Sequence, residues 1–457
     1  MSRFRPVDRK TPYLFPPSVE DWLPEDHLAR FVVEALERID LSSLRNAYAG
    51  RGSTAYHPEV LLGLLVYGYA TGVFSSRRIE RATYDSVAFC YLAAGSHPDH
   101  DTLATFRRRF LDQLSGIFLQ ILELASEMNM LKLGAVCLDG TKIHANASRH
   151  SALSHGHIEN LETQLKAEVA DLLAQAEKVD QSDLPDGMNL PDEIKRRQDR
   201  LAAMEAAKTK ILARATARYQ QEKAEYEDKL AKREVRERAT GKKAGGKPPA
   251  APQEGPGAID QINLTDEDSR IMKVSGGGFE QCYNAQAAVA TDSMLVVATG
   301  LTQAANDKQQ VEPMLEKLAA LPTCVGQAEQ LLADTGYCSQ ANLAACESAG
   351  VEPFIAVARE SHHIGWRERF AEPAPLADDA PALAKMAHKL KTRAGRACYA
   401  LRKQTVEPVF GIIKSVMGFR QFLLRGMSKV QGEWTLVCLA WNVKRMAVLR
   451  PKSAMRT

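Results

Sequence analysis

The sequence predicts an all-α N-terminal region followed by a mixed α/β domain, which a long helical hairpin interrupts. Apolar residues recur at helical spacing through the first 130 positions, and strand-like runs occur only from residue 134 onward. Two long helical stretches then separate the first strand from the others. The chain has 457 residues, too many for one ordinary core, and its 45% hydrophobic and 25% charged residues are typical of folded proteins.

The N-terminal region, residues 1–130, reads as a set of helices. Pro58 suits the first turn of an apolar helix, and Gly72 breaks that helix. Ser75-Ser76 can cap a following helix whose exposed side is basic, with Arg77, Arg78 and Arg81. A helix, a glycine turn and a basic helix occur in this order in helix-turn-helix DNA-binding proteins. Because generic helical bundles show the same order, DNA recognition and a bundle both remain open here.

The first predicted strand, residues 134–138, ends at Asp139-Gly140. An insert follows at residues 156–240, in which apolar residues recur at steps of three and four on both sides of a Pro/Asp/Gly break at 183–192. Two such helices with a short connection predict an antiparallel hairpin or coiled coil. Residues 241–258 are rich in Gly, Pro, Ala and Lys, which predicts a flexible linker.

Strand-like segments resume after the linker, with a helical segment at residues 308–321 between them. The predicted strands cover residues 279–290, 294–301, 330–333 and 353–357. Strands followed by alternating strand and helix indicate a mixed sheet flanked by helices. The predicted domains are the helical N-terminal domain (1–130), the first strand with Asp139 (131–155), the helical insert (156–240), the linker (241–258) and the remainder of the α/β domain (259–450).

The C-terminal segment, residues 385–457, is strongly basic. It holds sixteen Lys and Arg residues against Glu407 and Glu433, a formal charge of +14 in a chain of net charge +3. Such a segment favours a polyanionic partner such as nucleic acid. It also contains large aromatic residues, namely Phe410, Phe419, Phe422, Trp434 and Trp441. A solvated tail has no use for these side chains, so we expect a folded basic face.

Three acids stand out by their positions. Asp139 and Asp334 each follow an apolar strand and precede a glycine turn, and functional groups gather beyond strand ends in open α/β sheets. Glu407 precedes Pro408, which suits the first turn of a helix, and lies seven residues before Lys414, on the same predicted helix face. Three converging carboxylates suit two-metal phosphoryl transfer. On spacing alone, turn residues and a helix cap explain the same acids.

Several longer motifs resemble those of bacterial insertion-sequence transposases of the DDE type. The run from Leu138 to Ser148 is similar to their first-Asp motif, Ala333 to Tyr337 to their second-Asp motif, and Val406 to Gly411 with Lys414 to their Glu motif. Further matches to the group numbered eleven-eighty-two, within the broader IS-five-like superfamily, are Asn263-Leu264-Thr265-Asp266, Tyr283-Asn284-Ala285-Gln286, Tyr56-His57-Pro58, Ser75 to Glu80 and Pro98 to Thr102. The resemblance spans nearly the whole chain.

The resemblance implies an RNase H-like catalytic domain in which Asp139, Asp334 and Glu407 bind two Mg²⁺ ions, which Mn²⁺ can replace. A metal-activated water then cuts at the element end, and the released 3′-OH attacks target DNA. One related signature, Tyr-x2-Arg-x3-Glu-x6-Lys, fits only in part, because four residues instead of three separate Arg402 from Glu407. Whether Arg402 or Lys403 has the family's arginine role therefore stays open.

The expected partner is double-stranded DNA, both the terminal inverted repeats and the target. Because two ends must be joined, we expect a homo-oligomer, a dimer in the simplest case. The residues expected to contact DNA are Arg77, Arg78, Arg81, Arg402, Lys403, Lys414, Arg420 and Arg425. The chain has no apolar run of the ~20 residues that a bilayer needs, and no secretory signal, so we expect a bacterial cytoplasmic protein that acts at the nucleoid. Its scattered cysteines argue against zinc and disulfides.

Two other functions fit parts of the sequence. Asp139-Gly140-Thr141 also resembles the end of the haloacid dehalogenase phosphatase loop, but that chemistry needs a nucleophilic Asp where this chain has Cys137. A non-catalytic DNA-binding or architectural protein explains the basic segment and leaves the three acids unexplained. Mutation of one acid followed by a DNA-cleavage assay separates this alternative from the enzyme.

Overall fold

The computed structural model describes residues 18–48, 55–178, 190–241, 248–274, 276–358, 371–377 and 379–450. The chain divides into two compact units, one formed by Met1–His144 with Tyr283–Thr457 and the other by Ala145–Cys282. Most of the predicted break at 183–192, part of the predicted linker at 242–247 and the basic residues Lys452 and Arg456 lie outside the described residues.

The N-terminal part of the first unit is helical, as predicted. Its helices are α1 (Val19–Trp22), α2 (Leu28–Glu37), α3 (Ser42–Asn46), α4 (Pro58–Thr71), α5 (Ser76–Asp85), α6 (Val87–Leu92), α7 (His100–Arg109) and α8 (Leu114–Glu127). Helix α4 begins at Pro58 and ends at Gly72 in the left-handed conformation, both as predicted. Helix α7 begins at His100, because the Asp99 side chain caps it by accepting a hydrogen bond from the Thr102 amide. Within the described residues, no single helix is long and apolar enough to cross a membrane.

The strands, in chain order, are β1 (Ala135–His144), β2 (Ala152–Ser154), β3 (Gln261–Asn263), β4 (Arg270–Lys273), β5 (Phe279–Ala290), β6 (Val296–Thr302), β7 (Gln330–Ala333) and β8 (Glu352–Ile355). Five of these strands form the mixed sheet of the first unit, in the order β6-β5-β1-β7-β8. Strands β5 and β6 are antiparallel, whereas β1, β7 and β8 run parallel. The Thr291 amide, just after β5, bonds to the Ala135 carbonyl at the start of β1, so these two strands are antiparallel.

Strand β1 is longer than predicted. The prediction that the strand ends at Leu138 is wrong, because it continues through Asp139 and Gly140 to His144. Pairing with β7 stops at Leu138, but β1 remains a neighbour of β5. Gly140 fits inside this strand because side chains from β5 fill the space that a Cβ would take, and the β-branched Thr141 and Ile143 favour extended backbone. Asp139 therefore lies inside a strand and not beyond its end.

The remaining α-helices described for the first unit are numbered after the two long helices of the second unit: α11 (Val311–Ala319), α12 (Gln340–Ser348), α13 (Ala382–Lys391), α14 (Arg393–Gly411) and α15 (Met427–Leu449). The prediction that Pro408 occupies a first helical turn is wrong. Thr392 caps the helix much earlier, by accepting a hydrogen bond from the Gly395 amide. Pro408 lies inside α14, which ends at Gly411, and a π-helical turn at Ile412–Val416 follows.

The basic C-terminal segment is folded through residue 450, as its aromatic residues predicted. Those aromatic side chains are buried: Phe410, Phe419, Phe422, Trp434 and Trp441. Helix α15 is embedded in the unit, with the Trp434 indole donating to the Gln286 carbonyl and the Asn442 side chain bonding to both backbone groups of Val296. The end of the chain is therefore part of the core that supports the sheet.

The second unit is built on two long helices, α9 (His155–Lys178) and α10 (Leu190–Thr240), as predicted. They run antiparallel, since Glu168 pairs with Arg197 whereas the earlier Glu162 pairs with the later Lys208. Their shared core includes Leu153 of β2, Ile158, Leu165, Met204, Ile211 and Ile262 of β3. Strand β4 and the first four residues of β5 complete this unit as an antiparallel pair.

Candidate active site

Two of the predicted acids lie side by side, each directly after the last paired residue of two adjacent parallel strands. Leu138 of β1 is in register with Ala333 of β7, so Asp139, still within β1, and Asp334, just after β7, are the next residues along the chain. One oxygen of each is held locally, because Asp139 Oδ1 accepts from the Gly140 amide and Asp334 Oδ1 from the Gly336 amide, both at 2.8 Å. These bonds leave Oδ2 of each aspartate for other partners.

A single guanidinium contacts all three predicted acids. Arg402 Nη2 lies 2.9 Å from Asp139 Oδ2 and 3.8 Å from Asp334 Oδ2, and its Nη1 lies 2.9 Å from Glu407 Oε1. Arg402 and Glu407 both belong to α14, which passes beside β1 and β7. The structure therefore brings the three acids together around one cation.

The acids differ in how much water they see. The side chains of Arg402 and Asp139 are 10% and 16% exposed, whereas those of Asp334 and Glu407 are 40% and 49% exposed. Burial raises the pKa of Asp139 to about 6, an effect that Arg402 opposes and that the charges of Asp334 and Asp307 reinforce. Asp139 is thus the enclosed member of the cluster, and the other two acids face the solvent side.

A fourth acid, Asp307, lies beside this cluster and was missed by the sequence reasoning. It sits between β6 and α11, where Asp307 Oδ1 accepts hydrogen bonds from Asn284 Nδ2 and Gln286 Nε2, both at 2.7 Å. The available signal was the polar pair Asn284 and Gln286 at a spacing of two in a buried strand. Asp307 itself, in a short polar stretch, looks like any loop acid.

The Gln286 side chain makes a second hydrogen bond, to Tyr337, which lies three residues after Asp334. The Tyr337 hydroxyl donates to Gln286 Oε1, and the ring is fully buried. Burial raises the Tyr337 pKa well above its ordinary value, and the charges of Asp307, Asp139 and Asp334 raise it further. The phenol is therefore a fixed neutral donor that orients the Gln286 amide.

The cations predicted to contact DNA fall into two groups. Arg402 is buried among the acids, and Lys414 lies against β1, its Nζ 2.9 Å from the carbonyl oxygen of Lys142. The others are exposed: Arg77, Arg78 and Arg81 on α5, Lys403 on α14, and Arg420 and Arg425 beyond the π turn. Arg81 pairs with Asp85 at 3.1 Å. Of the Arg402–Lys403 pair, Arg402 is the one that meets the acids.

The donor atoms suit a hard divalent cation. Carboxylate oxygens are the ligands that Mg²⁺ prefers, and four acids opposed by Arg402 leave a formal charge of −3. Among the described residues, no three His, Cys, Asp or Glu side chains are arranged to hold an ion. Instead, the Arg402 guanidinium contacts three of these carboxylates. The oxygen ligands fit Mg²⁺ by their chemistry, and Arg402 would have to move for an ion to take its place.

Two stretches of the chain match known protein families. Residues 17–109 match a family described as Transposase domain (DUF772), and residues 377–447 match a family described as Transposase DDE domain. No curated protein and no solved structure matches the chain. Both matched families are transposase families, and the helical N-terminal region and the mixed α/β sheet are consistent with such proteins. These matches confirm the predicted resemblance to insertion-sequence transposases of the DDE type at that level.

The second match includes Arg402, Glu407 and Lys414, whereas Asp139 and Asp334 lie outside both matches. The roles of these two aspartates therefore depend on the strand register and on their shared contact with Arg402.

Proposed function

We propose that this protein is a transposase that cuts DNA at the ends of an insertion sequence and joins the released 3′-OH to target DNA, with Asp139, Asp334 and Glu407 as its catalytic acids. The observation that carries the proposal is the contact of one guanidinium with all three carboxylates. The sheet supports an RNase H-like catalytic domain, because the antiparallel strands β6, β5 and β1 continue into the parallel β7 and β8.

The three acids are the residues that would hold divalent ions. When bound, two Mg²⁺ ions activate the attacking oxygen and stabilise the leaving one. Asp139 provides the buried anchor, since its backbone is fixed by pairing in β1. Glu407 is half exposed on α14 and faces the DNA side of the site. Release of Arg402 from the acids leaves its guanidinium for a DNA phosphate next to the reaction.

The basic residues would position the DNA. The exposed Lys403, Arg420 and Arg425 belong to the same C-terminal segment as Glu407. Lys414 contacts strand β1 at Lys142, which is two residues after Gly140. Such side chains contact phosphates and read little sequence. Reading of the terminal inverted repeats is assigned to α5, which presents Arg77 and Arg78 to solvent.

The proposed reaction bears on the oligomeric state of the protein and on its location in the cell. Two ends must be cut and joined to one target, so the working form is a homo-oligomer, and a dimer is the simplest one. The proposed location of the reaction is the bacterial cytoplasm, at the nucleoid. The proposed transposase group is the one numbered eleven-eighty-two. The second candidate is a non-catalytic DNA-binding or architectural protein, which the basic segment favours. That candidate gives no reason for gathering three acids beside a DNA-binding segment, where they oppose phosphate binding.

The test is DNA cleavage by the full chain on DNA that carries the inverted repeats flanking the coding region. Asp139→Asn, Asp334→Asn and Glu407→Gln each keep the side-chain shape, and each should lower Mg²⁺-dependent cleavage at least about a hundredfold while DNA binding persists. Asp292→Asn, at an exposed turn, is the matched control and should cut normally. Normal cleavage by Glu407→Gln, or DNA binding without any cleavage by the unaltered chain, would refute the proposed chemistry.

A further inference from the structure

We propose that Asp307 is a fourth carboxylate of the cation site, and that the side-chain oxygen of Asn284 is a ligand there, to the ion or to one of its waters. This inference rests on the proposed function, because it enlarges the site formed by Asp139, Asp334 and Glu407. Neither Asp307 nor Asn284 lies within the two stretches that match known families.

Asp307 is held so that one of its oxygens remains available. Both amide donors, Asn284 Nδ2 and Gln286 Nε2, bond to the same oxygen, Oδ1. The other oxygen, Oδ2, lies 3.6 Å from the point that a Cβ on Gly336 would occupy, and Asp334 Oδ1 lies 2.9 Å from that point. These two distances bound the separation of the two carboxylate oxygens at 6.5 Å. Asp307 Oδ2 therefore lies close to the carboxylate of Asp334.

The first aspartate has the same neighbour. A Cβ on Gly140 would lie 2.6 Å from Asp307 Oδ1 and 2.9 Å from Asn284 Oδ1. Gly140 directly follows Asp139, and it leaves room that a Cβ would take from Asp307. The lack of a Cβ at Gly140 is what lets the fourth acid approach strand β1.

Asn284 provides the independent sign of a ligand. Its side chain is fully buried, and its Nδ2 donates to the Ala304 carbonyl and to Asp307. Its Oδ1 is buried with no hydrogen-bond partner, directly above Gly140. A buried carbonyl oxygen without a donor is uncommon in folded proteins. A divalent cation or a cation-bound water satisfies this oxygen, since Mg²⁺ and Mn²⁺ bind oxygen ligands and Mg²⁺ keeps several waters.

A purely structural Asp307, which only accepts bonds from two amides, is the competing explanation. Asp307→Asn separates the two, because the new Oδ1 still accepts from Asn284 and Gln286 while the charge and the second carboxylate oxygen are lost. A structural role predicts little change in cation binding, whereas the proposed role predicts a loss. Glu312→Gln is the matched control, since Glu312 is an exposed acid five residues away at the start of α11.

The experiment measures Mn²⁺ binding to the full chain without DNA, by calorimetry and by the electron paramagnetic resonance of free Mn²⁺. Asp307→Asn should weaken binding at least about tenfold, and Glu312→Gln should leave it unchanged. Unchanged binding by Asp307→Asn, together with a loss in Asp139→Asn, would overturn this inference and leave the proposed function intact. If Asp139→Asn also binds Mn²⁺ normally, the proposed function fails as well.

A second measurement needs no variant and covers the case in which Asp307→Asn fails to fold. In this experiment Fe²⁺ is added to the unaltered chain in place of Mg²⁺. Peroxide and ascorbate are then added, and the radicals they form cleave the backbone near the bound Fe²⁺. Cleavage is expected near Asp307 and Asn284 as well as near Asp139. Cleavage near Asp139 with none near Asp307 would overturn the inference.

Discussion

Arg402 decides the electrostatics of the site at the scale of single residues. Its guanidinium is nearly buried and contacts Asp139, Asp334 and Glu407, which repel one another without a cation. The sequence placed Arg402 near Glu407 but left its role open, because the spacing departs from the family signature by one residue. Only the packing of α14 beside β1 and β7 shows which of Arg402 and Lys403 faces the acids.

The raised pKa of Asp139 makes stability depend on pH. The folded pKa is about 6 against an ordinary 3.8, so Asp139 contributes stability that is complete below about pH 3.8 and is lost as the pH rises through 6. The difference of about two pKa units corresponds to about 3 kcal/mol. Asp139→Asn is neutral at every pH and removes this dependence. Without divalent ions, its unfolding free energy relative to the unaltered chain should therefore rise by about 3 kcal/mol between pH 4 and pH 8.

Urea unfolding at stepped pH in a chelating buffer measures this difference, and Asp292→Asn is the control for a change of charge at an exposed site. A free-energy difference between Asp139→Asn and the unaltered chain that stays constant from pH 4 to pH 8 would contradict the burial of this carboxyl.

Single elements were predicted well where local pattern and packing agree. Strands β5 and β7 match the predicted residues 279–290 and 330–333, because β5 begins directly after the glycines 276–278 and the apolar β7 ends at Asp334. The extension of β1 and the early start of α14 were missed, because Gly140 and Pro408 carry the local signals of a turn and of a helix start. Gly140 is accommodated by side chains from elsewhere in the fold, namely those of Asn284, Gln286 and Asp307, which a local pattern does not contain.

Gly140 allows a test at the level of the strand. A Cβ there would lie 2.2 Å from Gln286 Nε2 and 2.6 Å from Asp307 Oδ1, so Gly140→Ala must displace these side chains. We expect it to lower the unfolding free energy by about 2 kcal/mol, the usual cost of overpacking. Gly134→Ala, just before β1 and with open space at its Cβ, should change it by less than about 0.5 kcal/mol.

Chemical denaturation of both glycine variants gives this comparison directly. Equal stability of Gly140→Ala and Gly134→Ala would show that the side chains around Asp307 have more freedom than their hydrogen bonds indicate.

At the scale of the whole molecule, the N-terminal helices and the C-terminal helix share one buried polar network. Glu433 of α15 is fully buried, and its Oε1 accepts from the Tyr69 hydroxyl of α4 at 2.7 Å. Its Oε2 accepts from the amides of Leu423 and Leu424, and Arg107 of α7 donates to Tyr69. Glu433, one of the two acids in the basic segment, therefore links the C-terminal helix to the N-terminal helices. For this reason, residues 1–130 are best studied within the full chain.

Removal of Glu433 should destabilise this unit strongly. Glu433→Ala removes the acceptor of two buried donors, the Tyr69 hydroxyl and the Leu424 amide, and we expect a loss of about 4 kcal/mol of unfolding free energy. Glu433→Gln keeps one oxygen acceptor and should lose distinctly less. Thermal and urea unfolding of the two variants checks the order, and a loss below about 1 kcal/mol in Glu433→Ala would contradict the network.

The central claim is that Asp139, Asp334 and Glu407 together bind the divalent ions of a DNA-cutting site. The most direct measurement replaces each acid in turn by cysteine and assays cleavage of terminal-repeat DNA in Mg²⁺ and in Mn²⁺. A thiolate is a poor ligand for Mg²⁺ and a better one for Mn²⁺. We expect each variant to lose cleavage in Mg²⁺ and to recover part of it in Mn²⁺, with DNA binding unchanged. Full cleavage in Mg²⁺, or a loss that Mn²⁺ does not relieve in any of the three variants, would contradict it.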